Sequence, residues 1–151
     1  MRLTKSKEIM TLFYYWLGRL NLPYIYAFKD NRIDCTFAIS EWDTKDIHLN
    51  YNTSKIATRE WCALLSDVFH EIGHLKNKLP YKKESDIIES EYQAERYSVK
   101  MMRKHYPRDY GLLLERFIRL NIIGKKKKEE PLYYKAYKRI KDYRNTIKGD
   151  L

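Results

Sequence analysis

The pentapeptide His70-Glu71-Ile72-Gly73-His74 constrains this 151-residue chain more than any other feature. It lies in a run with apolar residues at Trp61, Leu64, Leu65, Val68, Ile72 and Leu75, the three-and-four spacing of a helix with one face in a core. The spacing predicts a helix from Arg59 to about Asn77, with Thr58 as N-cap and Pro80 beyond its end. Four residues along a helix turn a side chain by only about 40°, so both imidazoles leave one face, one turn apart. At that spacing two neutral ring nitrogens can reach one zinc ion at roughly 2.0–2.1 Å. Glu71 leans to the side, where its carboxylate can reach a water at the metal rather than the metal itself. With four His and eleven Glu in 151 residues, chance supplies roughly 0.01 such motifs. Gly73 costs about 1 kcal/mol relative to alanine in a helix interior, which makes sense if another element must pass close by.

Around this helix the pattern changes twice. Ile9, Leu12, Phe13, Trp16, Leu17 and Leu20 predict an amphipathic helix over Ser6 to Leu20, which Pro23 ends. Tyr24 to Phe28 is aromatic-rich, and Asp30-Asn31 is a turn signal. Ile33, Cys35, Phe37 and Ile39 then alternate with polar or small residues, and Ile47, Leu49 and Tyr51 alternate with Asp46, His48 and Asn50. The short connections imply antiparallel strands, with His48 on the solvent side. The strand from Asp46 to Asn52 is either the edge that pairs with an extended substrate or an ordinary internal strand. Ser85 is a candidate cap for a helix from Asp86 to about His105. Tyr110 to Ile123 is apolar and stops at Gly124, and Pro131 suits the start of a last helix through Ile147. The expected class is α+β: a small antiparallel sheet packed on a helical core, with extra C-terminal helices. Residues 1–124 form the expected domain, and 125–151 a basic C-terminal helix packed on it.

The chain is 44% hydrophobic, enough for a packed interior. Its longest charge-free run, Ile9 to Gly18, falls short of the roughly 20 residues a membrane span needs. Cys35 and Cys62 are too few for a disulfide scaffold, and no cleavage site follows the first apolar stretch, so a cytoplasmic protein with reduced thiols is expected. The net charge of +10 is uneven: residues 125–148 carry +7 and residues 1–124 only +4. Lys135, Lys138, Arg139, Lys141 and Arg144 interleave with tyrosines, a pattern that suits either a nucleic-acid backbone or a helix docked by its tyrosine face with the cations in water.

A catalytic zinc site normally has a third protein ligand. Asn77 and Pro80 stand where the metzincin pattern needs glycine and histidine, which excludes that family. Glu91 and Glu95, four apart in the next predicted helix, suit one ligand and one carboxylate that holds a ligand histidine by its other nitrogen. His105, at the far end of that helix, is an outside candidate.

The HEIGH motif followed by Glu91, Ala94, Glu95 and Tyr97-Ser98 resembles the ImmA/IrrE family of gluzincin-type metallopeptidases over about Ile47 to Met102. Glu95 stands where that family usually has Asp or Asn, and Tyr97-Ser98 where it usually has Phe-Ala. The resemblance implies a zincin-like core and Glu91 as third zinc ligand beside His70 and His74, with Glu71 as general base. It also implies a protease of narrow specificity, often one that cleaves a DNA-binding repressor of a phage or other mobile element. A second expectation, of a different class, is a nucleic-acid-associated binding protein whose zinc site is structural or vestigial.

Overall fold

In a computed structural model, residues 4–41, 47–77 and 83–120 are described, together with Lys135 and Arg139. The first helix, α1 (Lys5–Arg19), starts where the Thr4 hydroxyl accepts from Lys7 N–H at 3.3 Å. It ends in a Schellman turn: Asn21 takes a left-handed φ of 54°, Asn21 N–H returns to Gly18 O and Leu22 N–H to Leu17 O. Its apolar stripe (Ile9, Phe13, Trp16 and Leu17) is buried. The expected boundaries are off by one residue, which is the ordinary uncertainty of helix ends.

Three strands follow: β1 (Tyr26–Lys29), β2 (Phe37–Glu41) and β3 (Ile47–Tyr51), in the sheet order β1-β3-β2. β2 pairs with β3 antiparallel as expected, but β1 pairs with β3 parallel, with Tyr26 opposite His48 and Phe28 opposite Asn50. The sheet is therefore mixed, which corrects the all-antiparallel expectation. The short-connection rule holds only for strands that follow one another; here β2 itself serves as the link that brings β3 back alongside β1. Central placement selects the internal-strand alternative for β3 and overturns the exposure expected of His48. The strand is not an edge, and His48 is not exposed: its residue is 7% accessible, with the ring edge-on to Phe28 at 5.5 Å. A central strand has a neighbour on each edge, and a bulky side chain of that neighbour can cover its polar face, so alternation alone does not mark the solvent side.

The second strand starts later than the alternation from Ile33 predicts. Asn52 explains the delay, since its Nδ2 donates to Asn31 O and Ile33 O and its backbone N–H donates to Thr36 O. Those groups are bonded to a side chain and a strand end, which leaves no ladder before Phe37. The same Asn52 caps a short helix, α2 (Thr53–Thr58), with its Oδ1 accepting from Ser54 and Lys55 N–H. Thr58 is not the cap of the long helix, because its hydroxyl turns back to the carbonyls of Ser54 and Lys55. Arg59, extended at ψ 143°, separates α2 from α3 (Trp61–Asn77). Leu64, Leu65, Val68, Phe69 and Ile72 are fully buried, whereas Trp61 is 37% exposed and drops out of the expected inward stripe.

The next helix, α4 (Glu84–His105), has Lys83 rather than Ser85 at its N-cap, with Asp86 accepting from Lys83 N–H at 3.0 Å. Pro107 then opens α5 (Pro107–Leu120). Met101 and Met102 lie in the core. No described helix is long and apolar enough to cross a membrane. The class is α+β. The 124/125 boundary and the last predicted helix lie outside the described residues, Lys135 and Arg139 apart.

Helices α3 and α4 form the tightest pair. A Cβ at position 73 would stand 2.8 Å from Ala94 Cα and 2.9 Å from Ala94 O, so the close element that Gly73 implied is the backbone of α4. Farther along the crossing, the Ser98 hydroxyl donates to Ser66 O at 2.8 Å. Small residues on both helices set the separation at which the longer side chains between them meet.

Candidate metal centre

Those longer side chains are His70 and His74 from α3 and Glu91 from α4. His70 Nε2 and His74 Nε2 are 3.1 Å apart; Glu91 Oε2 is 3.0 Å from the first and Oε1 3.3 Å from the second. Donors held at roughly 2.0–2.1 Å round a tetrahedral ion stand about 3.3 Å from one another, so the three spacings fit one ion. Their outward nitrogens are both engaged. His70 Nδ1 is 2.9 Å from Glu95 Oε2, and His74 Nδ1 is 3.1 Å from Ser90 Oγ. With each Nδ1–H donated outward, both Nε2 lone pairs converge on one point beside a carboxylate. Two lone pairs and an anion repel unless a proton or a cation lies between them. The His70–His74–Glu91 group could hold a metal ion.

Electrostatics carry the same message. Burial pushes His70 down, but the Glu91 and Glu95 carboxylates on its two nitrogens override that and set its pKa well above the usual imidazole value. Burial would raise Glu91, and the hydrogen bonds from His70 and His74 win instead, holding it far below the usual carboxylate range. Glu71 is not one of the converging ligands. Burial, only partly offset by the two imidazoles, pushes its carboxyl up to about 7. It thus sits beside the group with its proton exchangeable near neutral pH.

Of the residues singled out by sequence, His70, His74, Glu91 and Glu95 come together, and Glu71 lies within their field. His105 does not join them, since its ring packs on Trp16 at 4.6 Å. Two participants were not anticipated, and a third residue was singled out only as a cation of the tail. Ser90 was legible in principle: α4 runs antiparallel to α3, so the partner of His74, one turn after His70, must lie about one turn before Glu95. Asp67 forms a bracket that fixes how α3 meets the sheet, taking Arg59 Nε at 2.5 Å and the Thr36 hydroxyl at 2.8 Å. Burial raises the pKa of Asp67 despite that arginine. Nothing local in the sequence links residues so far apart. The third is Arg139, one of the five tail cations. It bonds Glu89 and lies 3.8 Å above the Tyr92 ring, on the outer side of α4. No protein-family model, curated protein or solved structure matches the chain.

Proposed function

We propose that the protein is a zinc-dependent metallopeptidase of the ImmA/IrrE type. His70, His74 and Glu91 would hold the ion, whose donor set of two imidazoles and one carboxylate suits zinc with a position left open. The observation that carries the reading is the convergence of both Nε2 atoms on Glu91 while Glu95 and Ser90 hold the two Nδ1 atoms outward. Zinc, when bound, supplies Lewis acidity toward a peptide carbonyl and acidifies the attacking water.

Every other step belongs to the chain. Glu71 accepts the proton of the attacking water and passes it to the leaving amine; a carboxyl at about 7 is suited to both directions of that transfer. Glu95 and Ser90 keep the ligand rings in the tautomer that presents Nε2. The outer edge of β2 in the described sheet offers backbone pairing for an extended protein substrate, and the family resemblance points to a DNA-binding repressor as its kind. Protein purified without chelator is expected to carry about one zinc per chain by atomic absorption. Glu71→Gln should keep that zinc and lose about 10²–10⁴-fold in peptide hydrolysis. Zinc content unchanged in a His70→Ala/His74→Ala variant would refute the site.

A further inference from the structure

On the opposite side of α4 from Glu91 lies a second feature, a cavity of about 720 Å³ where the end of α3, the middle of α4 and the start of α5 meet. Asn77, Gln93, Arg96, Lys100, Arg103 and Lys104 supply its polar wall, with Tyr97, Pro107 and Tyr110 behind them. Counted from Glu91 at 100° per residue, the α4 members of that polar wall point roughly 120–220° away from the metal ligand. The two sites therefore share a helix and no residue.

The charged side chains of the cavity wall are all cationic. Four positive side chains line it, and no carboxylate among the described residues does. Glu89, one turn before Gln93 on the same face, bonds Gln93 at 2.7 Å and Arg139 and also lies in the field of Arg96, so one carboxylate outside the lining partly offsets one of the four cations. The ordinary explanation for cations late in a helix is compensation of the helix dipole. It covers Arg103 and Lys104 in the last turn, but not Arg96 and Lys100 earlier in α4. Lys100 has like charges one turn away on both sides, at Arg96 and Lys104, and such pairs destabilise a helix by about 0.2–0.5 kcal/mol each. The start of α5 closes one end of the cavity through Pro107 and Tyr110, and the dipole of that helix already has Asp109 in its first turn. Lys76 of α3 brings a further cation to within 5.3 Å of the Tyr97 ring. An arrangement that concentrates charge at a cost to its own helix is accounted for by an anionic occupant.

The shape narrows the anion. From Arg96 to Lys104 the cations span about 12 Å along the axis, longer than a single phosphate. Guanidinium groups match phosphate oxygens in pairs, and the volume is that of a small-molecule site, with amides and aromatic rings on the remaining walls. We propose that this cavity binds an oligophosphate, the arm of a nucleotide or a short run of nucleic-acid backbone, independently of the metal centre.

Titration calorimetry of the full chain at low salt, with inorganic tripolyphosphate as probe, tests this. One-to-one binding is expected, weakened by about tenfold or more in an Arg96→Gln/Lys100→Gln/Arg103→Gln variant that keeps its zinc content and melting temperature. If that triple variant melts lower, the exposed Lys100→Gln alone should still weaken binding severalfold. A ten-residue oligothymidylate that displaces tripolyphosphate, binds more tightly and is lost in the same variant would identify the source as nucleic acid. Displacement only by free polyphosphates would identify a nucleotide-like ligand. Absence of tripolyphosphate binding at low salt, or binding that the substitutions leave unchanged, would overturn the proposal. The zinc measurement is separate from either result, so this site and the metal centre fail or stand independently.

Discussion

At the α3–α4 crossing, two imidazoles, two carboxylates and a serine hydroxyl meet within hydrogen-bond distance, whereas the β1-β3-β2 sheet contributes backbone pairing and one buried imidazole against Phe28. Both regions hold histidines, buried in the sheet and half-buried at the crossing, and only the crossing makes them converge. His48 is a single buried ring set edge-on to Phe28. His70 and His74 are one helical turn apart and face a second helix that repeats its own polar groups at the same interval. Periodic elements packed in antiparallel register multiply contacts at fixed spacing; a three-stranded sheet with short strands does not.

The largest test of this contrast concerns the groups that orient the rings. Glu95→Ala and Ser90→Ala should each weaken metal affinity by about 10- to 100-fold, because an unpaired Nδ1–H lets the ring rotate and reduces its basicity. His48→Phe, in the sheet, should leave metal affinity unchanged. Competition with a fluorescent zinc chelator reads all three. Equal losses for Ser90→Ala and His48→Phe would mean that general packing, not ring orientation, sets the affinity.

A smaller effect, and one of opposite signs, is expected at glycines. Gly73→Ala forces a Cβ onto the Ala94 backbone, and overpacking of that kind should cost about 1–2 kcal/mol after the helical gain of alanine is deducted. Gly18→Ala and Gly111→Ala meet nothing within 4 Å and should stabilise by up to about 1 kcal/mol each. Urea unfolding measures all three. A neutral Gly73→Ala would show that α4 can shift without cost, and that its position is not what aligns Glu91.

What could be read from the chain follows the same division. The helix carrying His70 and His74 was legible because its signal is local: the apolar period, the ligand spacing and the stop at Pro80 all lie within about twenty residues. Glu91 and Glu95 were legible as a pair, since a helix repeats them on one face, but which one meets the metal group came only with the resemblance. Ser90 was overlooked because serine carries no ligand signature, although antiparallel packing requires a donor or acceptor at that height. The sheet was misread where pairing is non-local. Nothing in the sequence around Tyr26 says that it will lie opposite His48, reached only after an entire strand and its turn. Asn52 was likewise missed: one side chain that stops a strand and starts a helix cannot be seen in either pattern alone.

The subtlest expected effect is a pH dependence confined to the crossing. In the metal-free protein, His70 has a raised pKa, so its contribution to stability is fully present below its ordinary value of 6.5 and fades as pH rises through the higher folded value. Glu91 has a lowered pKa, so its contribution is present above its ordinary value of 4.5 and fades as pH falls through the lower folded value. The two overlap between pH 4.5 and 6.5, where the protonated ring, held by the carboxylates, stands in for a cation. Metal binding must expel the His70 proton, so zinc competes best where that proton is already leaving. The difference in melting temperature between zinc-loaded and metal-free protein should therefore widen from pH 5.5 to pH 8, and zinc uptake near pH 7 should release protons into a weakly buffered solution. Scanning calorimetry across that range with and without chelator reads the first, and an indicator dye the second. In Glu95→Ala, which removes one of the carboxylates raising His70, fewer protons should be released. A temperature gap that stays constant with pH would mean that His70 is neutral before the metal arrives, and that the charge balance of the crossing is held by Glu71 instead.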